Sequence, residues 1–258
     1  MLKSCKETII MAYSERSNDI IDYLKTHKSA TVEELARLLY VSEATIRRDL
    51  TAMQRLGQIE RSHGGAILSE SSDELSILIR QAKNSKEKMR TATVALKHLP
   101  DFQTVFIDNS STCLALANRM DFSHKTVVTN GLQLAMYLSN QDIATLILLG
   151  GEIRGHSAAT MGSMAETALR DFRFDLALLS CAAMDAGGSY ELVFDTMLTK
   201  RTAISRSKHK ILLFDNTKIN ANSPYCTTEL DTYDALITDA DDSALTDLRA
   251  AFPHIYNE

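Results

Sequence analysis

The sequence predicts two domains of different fold class: a small helical domain with a β-hairpin, followed by an α/β domain with a mostly parallel sheet. Apolar residues recur with helical spacing in the first quarter of the chain, and short apolar runs alternate with helical segments from about residue 100 onward. A polar stretch separates the two patterns. At 258 residues, the chain is long enough for one small and one medium domain.

A helix predicted from Glu43 to about Leu56 organises the first domain. Ser42 is a suitable N-cap, and Gly57 ends the helix. On a helical wheel, Ile46 lies on an apolar face, and the opposite face is basic and rich in hydrogen-bonding groups. The apolar residues are Ile46, Leu50, Met53 and Leu56, and the polar residues are Thr45, Arg47, Arg48, Thr51 and Arg55.

Two further helices are predicted before it. The first spans about Ser14 to His27, and the second runs from Thr31 to Leu39, where Thr31 and Glu34 have the spacing of a capping box. Only three residues connect the second helix to the arginine-rich one. This spacing is typical of a helix-turn-helix, in which the second helix of the pair enters the DNA major groove.

A hairpin follows, with strands at Ile59–Arg61 and Ala66–Leu68 joined across His63 to Gly65. The two glycines at its tip would let the backbone come close to a bulky partner. Three helices and a hairpin together predict a winged helix-turn-helix. The predicted DNA contacts are Ser42, Thr45, Arg47, Arg48, Thr51, Arg55, Arg61, His63, Gly64 and Gly65.

Composition bounds the classes of function. The net charge is −5, but residues 1–67 carry 10 Lys and Arg against 9 Asp and Glu, so the remainder carries −6. A near-neutral domain with clustered arginines predicts moderate, salt-sensitive DNA binding that gains from dimerisation. Four scattered cysteines argue against a zinc site or a disulfide framework, and no signal peptide or membrane-length apolar run is visible. A cytoplasmic protein without metal or cofactor is expected.

The second half alternates strands and helices. Strands are predicted at Thr104–Ile107, Thr126–Val128, Thr145–Leu149, Leu176–Ser180, Ile211–Phe214 and Ala235–Thr238. Helices are predicted near Lys86–His98, Thr112–Met120, Leu132–Ser139, Ser163–Arg170, Phe194–Ser207 and Ser243–Ala251. Strands this apolar predict a sheet covered on both faces, whose ligands bind at the carboxyl ends of the strands.

Polar or glycine-rich segments follow four of these strands. Hydroxyl-bearing residues from Asp108 to Thr112 open a helix, where an anion site is one interpretation and an ordinary N-cap is the other. Each segment alone is a weak signal, but four at one sheet edge predict a ligand site. Its candidate residues are Asp108, Ser110, Ser111, Thr112, Thr129, Asn130, Gly150, Gly151, Arg154, Gly162, Asp215 and Lys218.

These motifs resemble the DeoR family of bacterial transcriptional regulators. TIRRDL from Thr45, followed by HGGA from His63, is similar to the N-terminal signature of that family. D-x-S-S-T, VVTN, LGGEIR, F-D-x-T-K and LITD then occur in the order seen in its effector domain. The resemblance implies a division into a DNA-binding domain (1–68, with 1–13 as a possible extension), a linker (69–85) and an effector-binding and oligomerisation domain (86–258).

The resemblance also implies roles for the ligand-site residues. The effector domain would be similar in fold to ribose-5-phosphate isomerase and would bind a phosphorylated sugar or related metabolite. Ser110, Ser111 and Thr112 would hold the phosphate, and Lys218 would neutralise charge. Asp108 and Asp215 would accept hydrogen bonds from hydroxyls. Thr129, Asn130, Gly150 and Gly151 would line the sugar, and Lys86 or Lys88 matches a lysine common before the first helix. The family pattern is not kept at Asn109, Gly131 and Asn216-Thr217, so the identity of the ligand stays open.

The leading hypothesis is a non-enzymatic, homo-oligomeric regulator of a carbohydrate-utilisation operon. It would act as a repressor that a phosphorylated sugar releases from double-stranded DNA, and dimer and tetramer stay open. A sugar-phosphate isomerase with Glu191 or Asp185 as base is an alternative. A DNA-binding protein whose C-terminal half only oligomerises is another.

Overall fold

The computed structural model describes residues 16–17, 19–24, 26–55, 59–62, 64–68, 77–153 and 157–258. Residue contacts divide the chain into two compact units, Met1–Ser76 and Ile77–Glu258. Several of the predicted features lie outside the described residues: the extension 1–13, residues 69–76 of the linker, the Arg55 side chain, His63 and Arg154.

The first unit contains three helices and a small antiparallel sheet. Helical residues within 16–27 (α1) precede β1 (Ser29–Thr31), α2 (Val32–Leu38), α3 (Glu43–Arg55), β2 (Ile59–Ser62) and β3 (Gly65–Leu68). The strand order is β1-β3-β2. The predicted helix pair and hairpin are therefore present, and β1 is an addition that the sequence did not predict.

Strand β1 was missed because only long-range pairing reveals it. It has three residues, of which only Ala30 is buried, and its partners lie on β3 more than 30 positions away: Ser29 pairs with Ile67 and Thr31 with Gly65. Thr31 also begins α2, where its side chain accepts from the Glu34 amide while Glu34 accepts from the Thr31 amide. This predicted capping box is confirmed.

The core of the first unit is formed by the apolar faces of its helices. Ile46, Leu50 and Met53 of α3 are completely buried, together with Ile20 of α1 and Leu35 of α2. Burial of each such side chain contributes about 1.5–3 kcal/mol. The apolar face predicted for α3 is therefore the face that fixes the helix, and its other face is left to solvent.

The second unit is built on a seven-stranded sheet in the order β15-β14-β12-β9-β4-β5-β6, with every neighbouring pair parallel. Its strands are β4 (Thr104–Ile107), β5 (Thr126–Thr129), β6 (Thr145–Leu148), β9 (Phe174–Ser180), β12 (Ser207–Phe214), β14 (Ala235–Thr238) and β15 (Ile255–Tyr256). The helices are α4 (Ile77–Ala82), α5 (Ser85–Ala95), α6 (Ser111–Ala117), α7 (Leu132–Leu138), α8 (Ser163–Arg170), α9 (Phe194–Ser205) and α10 (Thr246–Ala251).

Apolar clusters lie on both faces of this sheet. Phe106 and Leu212 belong to one cluster, and Ile107 and Leu213 belong to the other, because successive strand residues point to opposite faces. This confirms the predicted doubly covered, mostly parallel sheet. None of the helices in the described part of the chain is both long enough and apolar enough to cross a membrane.

Two small antiparallel sheets were not predicted. One pairs β7 (Glu152–Ile153) with β8 (Thr160–Met161), and the other has the order β10-β11-β13. The strands of the latter are β10 (Ala183–Asp185), β11 (Gly188–Glu191) and β13 (Tyr225–Thr228). These strands have two to four residues and no strong alternation of apolar and polar side chains, so their pairing is set by tertiary contacts.

The segment predicted as a linker, 69–85, is partly structured. Its residues 77–82 form α4, which packs against α6 of the second unit. The described chain therefore enters the second unit at Ile77.

Candidate DNA-binding helix and ligand site

Helix α3 presents the polar face that the sequence predicts for a DNA-reading helix. Ser42, Arg47, Arg48 and Thr51 are exposed, and Thr45 is half-buried. Ser42 Oγ accepts a hydrogen bond from the Thr45 amide at 3.2 Å and lies 2.9 Å from Thr45 Oγ1. The N-terminal turn is thus fixed by the two hydroxyls predicted to contact DNA.

The two arginines of this helix differ in their surroundings. Arg47 Nη2 lies 2.7 Å from Glu43 Oε2 in an exposed pair one helical turn apart. Arg48 is exposed on the same helix. Its neighbour Asp49 is buried and accepts from Arg16 Nε at 2.9 Å, so this ion pair ties α3 to α1. The hydrogen bond to Asp49 raises the pKa of Arg16.

The hairpin glycines have different environments. Gly64 is exposed with φ +81°. Gly65 is buried, and a Cβ there would lie 2.1 Å from the carbonyl oxygen of Ala30. The close approach at Gly65 is therefore to β1 of the same unit, because β3 passes against it. Arg61 is half-buried on β2.

In the second unit, Asp108 lies where the strand order reverses. It follows β4, which pairs on one side with β5, the next strand along the chain, and on the other side with β9, and such switch points are the usual ligand sites of parallel sheets. Asp108 Oδ1 accepts from the Ser110 amide at 3.0 Å, and Oδ2 accepts from the Ser180 amide at 2.9 Å. Lys200 Nζ is 3.0 Å from Oδ2.

Lys200 joins two carboxylates in the interior. Its Nζ donates to Glu191 and, at 2.6 Å, to the carbonyl of Ser180, and all three side chains of the Asp108–Lys200–Glu191 cluster are at least nine-tenths buried. Burial alone lowers the pKa of Lys200, but the two carboxylates outweigh it and raise that pKa. Burial likewise opposes ionisation of Asp108, yet Lys200 and the Ser180 and Ser110 hydrogen bonds hold its pKa below the usual value. Asp108 and Lys200 are therefore both charged at neutral pH.

Asp108 is the one member of this cluster that the sequence predicted for the ligand site. Glu191 was considered only as an enzymatic base, and Lys200 was not singled out. Lys200 lies in a helix with the sequence FDTMLTKRTAIS, where a lysine ordinarily belongs to a solvated face. Asp185, the other candidate base, accepts from the Gly187 amide and Tyr190 OH within the β10–β11 hairpin.

The loops after β4 and β5 contact each other. A Cβ at Gly131 would lie 2.9 Å from Asn109 Oδ1, and Thr129 Oγ1 accepts from the Gly131 amide at 3.0 Å. Asn130 is buried, and its Nδ2 donates to Thr160 O at 3.2 Å. Asn130 Oδ1 has no hydrogen-bond partner among the described residues. A buried acceptor in this state fits a ligand that carries a donor.

The hydroxyls of the first loop begin α6. Ser110 is the N-cap, since its Oγ accepts from the Cys113 amide at 3.0 Å. Ser111 and Thr112 are buried. The N-cap interpretation is confirmed for Ser110, and the anion-site interpretation stays a prediction that rests on the first-turn amides, which have no partner within a helix.

The glycines predicted for the ligand site determine the conformation of the chain between β6 and α8. Gly151 has φ +144°, and a Cβ there would lie 2.5 Å from Met161 O, so this glycine allows β7 to approach β8. Gly162 has φ +86° immediately before α8. Gly150 is exposed, and a Cβ there would meet nothing within 4 Å. Gly150 and Gly162 therefore have open space where a Cβ would lie, and Gly151 does not.

Asp215, after β12, forms a second buried acid–lysine pair. It is completely buried, and its Oδ1 accepts from the amide and hydroxyl of Thr217 and from Asn84 Nδ2. Lys88 Nζ is 3.5 Å from Oδ2, which accepts no hydrogen bond from the described residues. Lys88 is buried, whereas Lys86 is exposed, and burial lowers the pKa of Lys88 despite the nearby carboxylate. Lys218 is half-buried in the same loop.

Comparison with known proteins gives matches over both units. Residues 16–72 match the model of the DeoR-like helix-turn-helix domain, and residues 83–240 match that of the DeoR C terminal sensor domain. The glycerol-3-phosphate regulon repressor of Escherichia coli (strain K12) is 33% identical over 232 residues, covering 89% of this chain and 92% of that protein. The lactose phosphotransferase system repressor of Lactococcus lactis subsp. lactis is 32% identical over 235 residues, covering 89% and 92%.

Comparison with solved structures gives weaker matches. The ribose 5-phosphate isomerase of Methanocaldococcus jannaschii is 14% identical, with a TM-score of 0.38 over 53% of this chain and 55% of that one. The sequence matches, by contrast, extend over nearly the whole chain and include both the helix-turn-helix and the domain with the buried polar edge. The chain therefore belongs to the DeoR family of DNA-binding transcriptional regulators.

Proposed function

We propose that this regulator is a repressor whose second unit binds a small phosphorylated sugar or polyol at the carboxyl edge of the seven-stranded sheet. The observation that carries the proposal is the pair of buried acceptors, Asn130 Oδ1 and Asp215 Oδ2, that accept no hydrogen bond within the described residues. Sugar hydroxyls are donors suited to both. The relatives named above, which are repressors connected with glycerol 3-phosphate and with lactose phosphotransfer, support this class of ligand.

The charges at this edge set what the ligand can be. In the Asp108–Lys200–Glu191 cluster one ammonium is already paired with two carboxyl groups, so the cluster favours hydroxyl donors over a bare anion. Lys218 and the first-turn amides of Ser111 and Thr112 are the groups at this edge that attract a phosphate. The proposed ligand therefore has its hydroxyls toward the buried acids and its phosphate toward the first loop and Lys218.

Binding would act on DNA through the assembly of the protein. Two recognition helices must match the spacing of two half-sites, so we propose a homo-oligomer whose ligand-bound geometry mis-spaces them. A thousand-fold loss of operator affinity requires the ligand to discriminate between the two states by about 4 kcal/mol. One phosphate and several hydroxyl hydrogen bonds can supply this difference.

The test is fluorescence anisotropy on DNA from upstream of the gene, at fixed salt, with phosphorylated sugars and polyols and their unphosphorylated parents. We expect one phosphorylated compound, such as glycerol 3-phosphate, to release the DNA while its parent does not. Thr112→Val should weaken the response, and Thr93→Val, an exposed hydroxyl on α5, is the matched control. DNA binding that no compound on the panel changes would contradict the ligand proposal.

An isomerase is the alternative, since Glu191 and Lys200 place an acid and a base together in the interior. We propose that their role is to hold Asp108 and to bind the ligand, because Lys200 is committed to two carboxylates and a carbonyl. Turnover of ribose 5-phosphate by the purified protein would contradict this interpretation.

A further inference from the structure

The segment by which the chain enters the second unit is bonded to two of the loops at the ligand edge. This segment, residues 77–88, is called the connector below. Arg80 Nη1 donates to Asn109 O at 3.4 Å, and Asn84 Nδ2 donates to Asp215 Oδ1 at 3.3 Å and to Thr217 Oγ1 at 3.0 Å. Lys88 Nζ is 3.5 Å from Asp215 Oδ2. Three connector side chains therefore hold the loops after β4 and β12.

Asn84 has a backbone conformation that marks it as more than a helix cap. It is the N-cap of α5 with φ 54° and ψ 38°, the left-handed region, and its side chain makes no capping hydrogen bond. An N-cap residue ordinarily has an extended backbone, and its side chain accepts a hydrogen bond from an amide in the first turn of the helix. The Asn84 side chain instead donates hydrogen bonds to the loop after β12.

The same loop groups are the ones that a ligand would use. Asp215 is a buried carboxylate with one oxygen that accepts no hydrogen bond, and the other is shared among Asn84 and Thr217. A ligand hydroxyl that donates to Asp215 Oδ2 would compete with Lys88 for the carboxylate that Asn84 also holds through Oδ1. A ligand that displaces Asn109 would likewise weaken its bond with Arg80.

We propose that the connector is the coupling element between the ligand site and the DNA-binding unit. The state in which the connector is bonded to the two loops favours DNA binding. Ligand in the loops weakens the three contacts and frees the connector, through which the chain continues to residues 69–76 and the DNA-binding unit. The inference rests on the proposed function for the identity of the ligand, but the effect of the connector on DNA binding is measurable without ligand.

The test uses the full-length double variant Arg80→Ala/Asn84→Gly. Glycine adopts the left-handed conformation at position 84 without strain, so the substitution removes the amide and leaves the backbone. The matched control is Arg119→Ala/Asn140→Gly, since Arg119 donates to Thr93 Oγ1 and Asn140 to Met136 O, away from the connector. Circular dichroism checks that each variant is folded at the assay temperature. If the double variant is unfolded there, the single variant Asn84→Gly replaces it.

Two quantities are measured without ligand: affinity for the upstream DNA, and hydrogen exchange of amides 77–88. We expect faster exchange in the connector and DNA binding weaker by at least about fivefold, the lower end of typical allosteric coupling. The control variant should match the wild type within about twofold. Unchanged connector exchange, or faster exchange with unchanged DNA affinity, would overturn the inference.

The ligand panel is run in parallel on the wild type. A wild type that binds DNA but responds to no phosphorylated compound contradicts the proposed ligand and leaves the ligand-free comparison to decide on the connector. A wild type that responds, with connector variants that bind DNA and respond as it does, contradicts the connector alone.

Discussion

The DNA-binding helix and the ligand site are built in opposite ways. The proposed DNA contacts whose side chains are described at α3 lie within ten consecutive positions, 42–51, and are exposed or half-buried. The ion pair Arg47–Glu43 on this helix has side chains 61% and 47% exposed. The ligand site joins residues far apart in sequence, and the side chains of its pair Lys200–Asp108 are 9% and 2% exposed. The difference teaches that DNA contacts can be changed at little cost to folding, whereas the buried charges contribute to both folding and binding.

The largest expected effect comes from removing the central cation. Lys200→Met leaves Asp108 and Glu191 buried without their partner, which should destabilise the second unit by about 3–5 kcal/mol. Arg47→Met, which breaks the exposed pair, should cost no more than about 1 kcal/mol. Urea denaturation followed by circular dichroism measures both. A Lys200→Met loss as small as the Arg47→Met loss would remove the distinction between the two regions.

The hairpin provides an exception within the DNA-binding unit. Gly65→Ala places a Cβ 2.1 Å from a backbone carbonyl that cannot rotate away, so we expect a loss of about 2–3 kcal/mol in the stability of the first unit. Gly64→Ala is a less crowded control, whose cost arises from its positive φ alone. Thermal unfolding compares the two variants. Equal stability of Gly65→Ala and the wild type would show that β1 does not pack against β3 in solution.

Substitution of a DNA-contacting residue should weaken DNA binding without changing the stability of the first unit. Arg48→Ala should weaken operator binding by about 1–3 kcal/mol if the guanidinium contacts a base, while the unfolding free energy changes by less than about 0.5 kcal/mol. Arg37→Ala is the control, because Arg37 is also an exposed helical arginine but lies on α2, where it pairs with Glu33 one turn away. Anisotropy on operator and random DNA distinguishes base from phosphate contact, and unchanged operator affinity would place α3 outside the groove.

The same contrast explains what could be predicted from the sequence. The α3 face, the capping box at Thr31 and the positions of the parallel strands along the chain follow from periodicity and local chemistry, which neighbouring residues supply. Lys200 could not be assigned, because its partner Asp108 lies 92 positions away and only the strand order brings β4 beside β9. Gly65 was predicted to approach a bulky partner of the hairpin, whereas the pairing of β1 with β3 shows that its close neighbour is Ala30 of the same unit.

The smallest expected effect concerns the turn between α2 and α3. Tyr40 has φ +53° and is 96% exposed, so its side chain gains almost nothing from packing while its backbone is left-handed. Removing the Cβ relieves about 1–2 kcal/mol of backbone strain in the left-handed conformation. Part of this gain in stability is lost, because glycine gives the unfolded chain more conformational entropy. Tyr40→Gly should therefore stabilise the first unit by up to about 1 kcal/mol.

Thermal unfolding of the full-length protein measures this gain, and Tyr40→Ala separates its two causes. Alanine keeps the Cβ and loses the aromatic ring, so it should leave stability near that of the wild type if backbone strain is responsible. A Tyr40→Ala variant as stable as Tyr40→Gly would assign the effect to the ring instead. Because the turn directly precedes Ser42, operator binding by both variants also shows whether a strained residue beside the DNA-reading helix affects its contacts.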